Sequence, residues 1–312
     1  MLNYDGLSKR PLIFRSFAGL EVAEFDALNS KIKESYNAFE QKRLSRGDRK
    51  RKIGAGHPFK LPLTDRLLML LVYYRLYVSS TLAAYLFCLG QTNVLKDIRI
   101  LEPLVSEVLP LPKRLRQKVK RLGTLDEVEA ILPGFKAFLD ATEQEIPRPK
   151  NKLKRKTHYS GKKKKHTVKT QITVNKDGLI VHKTRHAKGS THDYALFKAH
   201  HPHLPDNVCL GLDLGYDGIH SDYPKLNSEV PFKRRSPGRG KRGVKAKELT
   251  ADQKTFNEKL SKDRVVVEHT FSRLKKFRVM AEEFRNRLKH YDTMTDIVCG
   301  IVNFRIAGTI VI

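Results

Sequence analysis

Two alternating runs, His166 to Val174 and Leu179 to Thr184, are separated by Asn175-Lys176-Asp177-Gly178. Asp-Gly between such runs is a strong hairpin signal, because the tight turn needs backbone conformations that glycine adopts freely. Apolar runs lie on either side, each closing on an acid. After the Pro133-Gly134 break, the first predicts a strand at about Phe135 to Asp140. The second predicts a buried strand over Asn207 to Leu212 that ends at Asp213. Helical spacing marks Ser190 to His200 and the long stretch Thr250 to Phe277, which opens on a cap of Thr250 with Gln253 three residues on. Strand with acid, hairpin, helix, strand with acid, insertion, helix is the order of an α/β domain with a mixed sheet.

A third acid, Glu268, sits within the last helix. Carboxylates at the ends of neighbouring strands, with a glutamate on a helix packed across them, converge from distant sequence positions. Hard divalent cations take such oxygen ligands, and two of them can activate an attacking oxygen while stabilising a leaving one. Asp140, Asp213 and Glu268 therefore read as the triad of a metal-dependent phosphodiester-cutting enzyme.

The rest of the chain is basic. Sixty-one Lys and Arg against 33 Asp and Glu leave a formal charge of +28, which points to a polyanionic partner, with nucleic acid first. At 40% hydrophobic content, 312 residues can bury one or two cores, which excludes a disordered basic tail. Cys88, Cys209 and Cys299 lie in apolar surroundings without ligand spacing and read as small core residues. No run of about 18 apolar residues occurs, and the apolar end from Ile297 is interrupted by Asn303 and Arg305. The expectation is a soluble protein of a reducing compartment, cytoplasmic and nucleoid-associated, with no membrane partner.

Ahead of the sheet the spacing is helical. Leu20 to Arg43 predicts one helix, followed by a basic linker to Lys52. Three more follow: Thr64 to Tyr74, capped by Thr64 or Asp65, Ser80 to Cys88, and Thr92 to Leu104. Leu89-Gly90-Gln91 makes a tight turn between the last two. That pattern fits a helix-turn-helix whose second member lays Gln91, Thr92, Asn93 and Lys96 in a major groove, or an ordinary helical hairpin; the net charge favours DNA. The expected division is residues 1–60 as helix and linker, 61–108 as the helix-turn-helix, 109–130 as a connector broken by prolines, and 131–312 as the catalytic domain. Within the last, Arg148 to Lys169 carries 11 Lys or Arg in 22 positions with no acid and predicts a loop. Lys233 to Lys247 carries eight in 15, mixed with glycine, and predicts an exposed, mobile one.

The words around the acids resemble the DDE transposases of bacterial insertion sequences, in particular the IS-five-like group. They are Asp140-Ala141-Thr142-Glu143, the lysine-rich Tyr159 to His166 leading into Thr170-Gln171, Gly189-Ser190-Thr191-His192-Asp193, Asp213 to Gly218, and Asn257 to Lys275. The resemblance covers about Pro62 to Ile306. It implies a ribonuclease-H-like mixed-sheet catalytic domain preceded by an all-α helix-turn-helix domain. It makes Asp140, Asp213 and Glu268 the ligands of two Mg²⁺ or Mn²⁺ ions, with Arg264 and Lys275 supporting them or contacting DNA. Two departures stand out: Ser261 where related groups carry Tyr, and Ala141 where the family usually carries Gly. Asp193 reads as structural, orienting the hairpin or capping the helix that begins near Ser190, with support of the metal ligands as the lesser alternative. Lys162, Lys163, Lys164 and Lys165 would clamp phosphates in a salt-sensitive, sequence-independent way.

The implied activity is a transposase that cuts DNA at element ends and joins the 3′-OH to target DNA. Terminal inverted repeats and target DNA would be its partners, and joining two ends implies a homodimer or larger synaptic complex. The competing class is a DNA-binding regulator derived from a transposase that no longer cuts. An RNA-processing nuclease is disfavoured, because no aromatic stacking motif of an RNA-binding module is present.

Overall fold

The Asp-Gly hairpin forms where the alternation places it. In the computed structural model, which describes residues 1–45, 47–48, 50–234 and 248–308, the helices are α1 (Tyr4–Ser8), α2 (Pro11–Ala18), α3 (Val22–Leu44), α4 (Leu63–Leu76), α5 (Ser80–Leu86), α6 (Gln91–Val108), α7 (Pro112–Val119), α8 (Leu125–Ile131), α9 (Lys152–His158), α10 (Asp193–His200), α11 (Ile219–Asp222), α12 (Ala251–Lys275), α13 (Arg278–Ala281) and α14 (Tyr291–Ala307). The strands are β1 (Lys136–Glu145), β2 (Tyr159–Ser160), β3 (Lys165–Asn175), β4 (Ile180–Lys183), β5 (Ala187–Lys188), β6 (Cys209–Gly211) and β7 (Ser228–Glu229). Apart from Lys233 and Arg234, the second expected basic loop lies outside the described residues.

The sheet runs β2-β3-β1-β6-β7, with β4 and β5 also paired to β3. β1 and β3 are antiparallel from Ala137 opposite Asn175 to Glu145 opposite Thr167, whereas β6 lies parallel to β1 and β7 parallel to β6. The hairpin turn is closed by Asn175, whose Oδ1 accepts from the backbone of Asp177 and Leu179 while Gly178 takes φ 86°. β1 is longer than expected. Asp140 lies in its middle instead of at its end, because β3 pairs every residue as far as Glu145 and so holds the polar half extended.

The first basic run is likewise not all loop. Asn151 caps α9 by accepting from the Lys154 N–H, and the strand β3 begins at Lys165. The proline-broken connector contains α7 and α8, the latter opened by a reciprocal box in which Thr124 and Glu127 cap each other. α12 opens as expected, on Thr250 and Gln253, each accepting from the other's N–H at 3.2 and 3.1 Å. Its buried stripe packs on the sheet, and at Gly211 the approach is close. A Cβ there would stand 2.7 Å from the Phe138 ring of β1 and 3.3 Å from Leu260 of α12, so any larger residue would force the Phe138 ring aside.

The described residues divide into two compact units, one of residues 1–111 with 273–308 and one of 112–272. α14, expected with the sheet, packs in the helical unit against α6, where Leu109 and Leu111 lie close against Gly300 and Asn303 donates to the Pro110 carbonyl. That unit has an unusual core residue. Arg66 on α4 is 1% exposed, pairs with Asp97 of α6 at 3.4 Å, donates to Tyr36 Oη of α3 at 3.1 Å, and has its guanidinium 3.5 Å from the Phe59 ring centroid. Pro62, not Thr64 or Asp65, is the cap of α4; Asp65 instead accepts from the Tyr4 N–H. Of the three cysteines only Cys299 is buried; Cys209 is half-buried and Cys88, in the left-handed residue ending α5, is exposed. Among the described residues no helix is long and apolar enough to cross a membrane.

Candidate active site

Asp140 and Asp213 are brought together by strand register. Lys136, Ala137 and Phe138 of β1 stand level with Cys209, Leu210 and Gly211 of the parallel strand β6, and continuing that register sets Asp213 level with Asp140. Neighbouring strands lie about 4.8 Å apart. The Asp213 carboxylate accepts from the Leu214 N–H at 2.7 Å, which holds it at the start of a short 3₁₀ turn, Leu214–Tyr216. Asp140 accepts from the Ala141 N–H at 2.7 Å. Burial pushes the Asp140 carboxyl up from its ordinary value; the Ala141 N–H and Arg264 pull it back, while Asp213 and Asp193 add to the rise.

Arg264 touches both acids. Its guanidinium lies 3.9 Å from Asp140 Oδ2 and 3.5 Å from Asp213 Oδ1, and it is largely buried. The cause is its phase on α12. Leu260, Val267, Thr270, Phe271 and Leu274 form the buried stripe, and Arg264 falls at its edge. At 100° per residue Glu268 falls about 100° from the centre of that stripe. It is exposed, its side chain turned away from the two aspartates. The third acid of the expected triad is therefore not drawn in. Among the described residues no three His, Cys, Asp or Glu side chains form a group that could hold a metal ion. The two aspartates by themselves offer only oxygen donors, which suits a hard divalent cation over a soft one.

On the opposite face of β1 lies a network that no motif announces. Lys169 on β3, opposite Glu143 on β1, is nearly buried; its Nζ donates to the Thr191 carbonyl at 2.8 Å and pairs with Asp193 at 2.8 Å and Glu143 at 3.5 Å. Asp193 is thus an ion-pair partner, and the cap position of α10 belongs to His192. Burial raises Glu143, but hydrogen bonds from Ser160 and Thr167 and the charge of Lys169 outweigh it, leaving the acid below its ordinary value. Gln171, opposite Ala141, donates through Nε2 to the Asp193 carbonyl at 2.6 Å and to Tyr216 Oη at 2.9 Å. Tyr216 closes the turn that begins after Asp213 and is 1% exposed, so Gln171 ties that turn to the strand beside Asp140. The words Thr170-Gln171 and Asp213 to Gly218 flagged these positions without revealing that they touch.

The DNA-facing candidates occupy open surface. Gln91, Thr92, Asn93 and Lys96 are exposed at the start of α6, with Gln91 Nε2 donating to Ser80 Oγ at 2.8 Å. Lys162 to Lys164 are exposed in the turn between β2 and β3, and Lys165, exposed at the start of β3, pairs with Glu145 at 2.6 Å. Lys275 is the exposed last residue of α12 and falls in the helical unit.

A mixed sheet with one aspartate on its central strand, a second just past the end of the adjacent parallel strand and a helix crossing them is the scaffold of a ribonuclease-H-like nuclease domain, here joined to a helical unit containing a helix-turn-helix. Residues 139–303, more than half of the chain, match the DDE superfamily endonucleases, and residues 59–111 match the helix-turn-helix of DDE superfamily endonucleases. The chain belongs to the DDE superfamily endonucleases. It is also similar, at 28% identity over 290 residues covering 92% of this chain and 96% of the other, to a protein described as a probable transposase for insertion sequence element IS702 from Microchaete diplosiphon. No solved structure matches it. Members of this superfamily generally use divalent metal ions.

Proposed function

We propose that the chain is a DNA transposase that cuts phosphodiester bonds at the ends of an insertion sequence and joins the freed 3′-OH to target DNA. The observation that carries this reading is the Asp140, Asp213 and Arg264 cluster in a chain of this family. Asp140 and Asp213, with Glu268 turned inward from its exposed position, are the residues that would hold two Mg²⁺ or Mn²⁺ ions. Bound there, the metal supplies charge for the oxygens that attack and leave. Arg264, freed from the aspartates, meets a phosphate with its planar fork. Gln91, Thr92, Asn93 and Lys96 select terminal inverted repeats, Lys162 to Lys165 and Lys275 hold backbone, and a homodimer or larger synaptic complex brings two ends together in the cytoplasm at the nucleoid.

A protein that binds DNA without cutting it is favoured by one observation, the exposure of Glu268. Asp213→Asn separates the two. The carboxylate is more than half exposed, so the change costs little stability, within about 0.5 kcal/mol. It is expected to abolish Mg²⁺-dependent nicking of end-containing duplex while leaving duplex affinity nearly unchanged. Equal nicking by wild type and variant, or no nicking by either, removes the enzyme reading.

A further inference from the structure

Beside the lysine turn lies a shallow cavity of about 360 Å³, lined by Arg148, Lys152, Arg155, Lys156, Tyr159 and His166. Lys152, Arg155 and Lys156 stand at i, i+3 and i+4 of α9 and so share one face. Tyr159 sits opposite His166 in the β2–β3 pair, ring centroids 5.6 Å apart and edge-on, and remains 43% exposed. No acid lines the cavity, and Arg155 Nε is buried without a hydrogen-bond partner.

We propose that this cavity holds a single unpaired nucleotide of a bound DNA strand, its phosphates against the four cations and its base against Tyr159. Cations alone would serve any phosphate, but they give no reason for an exposed ring at the centre of so basic a surface. A nucleotide uses both, since every base presents a π face and stacking on an aromatic side chain is indifferent to sequence. The volume fits one nucleotide and not a duplex. Position agrees as well. Asp140 stands opposite Ile172, and His166 lies six residues back along β3, a distance of about 20 Å at 3.3 Å per residue. That equals about six phosphate steps of one duplex strand, so one strand can reach both places.

This inference rests on the DNA-processing reading above, and its test is separate from the nicking assay. Binding of the full chain is measured by fluorescence anisotropy to a short duplex with and without one central unpaired nucleotide. The unpaired duplex is expected to bind about tenfold tighter, since its unstacking cost is already met. Tyr159→Phe should retain that preference, and Tyr159→Ala should bring the two duplexes to equal affinity. A wild-type protein with no preference, or a preference that survives in Tyr159→Ala, overturns the proposal even where Mg²⁺-dependent nicking is intact. So does ATP binding that Tyr159→Ala abolishes in a protein that shows no preference between the two duplexes, which would assign the cavity to a free nucleotide.

Discussion

Replacing Tyr216 with Phe deletes one oxygen from a buried ring and changes no other contact. That oxygen accepts from Gln171 Nε2 at 2.9 Å, and the same nitrogen donates to the Asp193 carbonyl at 2.6 Å. One of the two amide N–H groups is then left without a partner in a buried site, so the loss should be about 1–3 kcal/mol. For a unit of this size the melting temperature then falls by at least about 2–4 °C. The rate is the sharper readout. Tyr216 closes the turn that carries Asp213, and if the whole bond serves to hold that carboxylate level with Asp140, single-turnover nicking at saturating Mg²⁺ slows by at least about fivefold. DNA affinity should not change, because the ring is buried. Gln171→Leu is expected to act through the same bond, so the two changes together should slow nicking less than the product of their separate effects, with a coupling of about 1 kcal/mol. Strict additivity, or a full rate despite a lowered melting temperature, would show that Asp213 is aligned by something other than this clamp.

Two further outcomes follow from buried ionisable groups. His182 on β4 is held neutral by burial, with Arg116 and Lys183 adding to the effect, and its pKa is lowered to about 3. Because the folded value lies below the unfolded one, the unfolded chain takes up a proton first; unfolding free energy should therefore drop on acidification from about pH 6.5 towards 3 by up to about 1.4 kcal/mol per pH unit. Urea titrations of His182→Gln at several pH values should show that slope reduced by one proton, and an unchanged slope would remove His182 as its source. Asp97→Ala leaves the buried Arg66 guanidinium without its carboxylate and should cost about 3–5 kcal/mol, most of it recovered in Arg66→Met with Asp97→Leu; a cost below about 1 kcal/mol in the single variant would mean that Tyr36 and Phe59 alone suffice.

The parts of the fold that rest on local signals are legible in the chain. Asp177-Gly178 announces the hairpin, and Thr250 with Gln253 announces the start of α12, because a turn or a cap is decided by residues within a few positions of one another. Asp140 and Asp213 are legible because each closes an apolar run. What escapes is what depends on partners. Ala141 to Glu145 carries little apolar alternation of its own and becomes strand only because β3 pairs with it. α9 forms in a run with hardly an apolar residue, on a cap from Asn151. α14 is near the sheet domain in sequence, yet its small and apolar residues suit α6. Glu268 has the right neighbours in the right order, but its outward direction follows from which side of α12 is buried, a matter of tens of degrees that no motif encodes.

Arg264 has a consequence for how the domain assembles. An arginine wedged against two aspartates is a counter-ion that the polypeptide carries with it, so their mutual repulsion is relieved without charge from solution. Small zinc-nucleated domains stay unfolded until their ion arrives. This sheet can close first, and an incoming cation then competes with a tethered one already built into the chain.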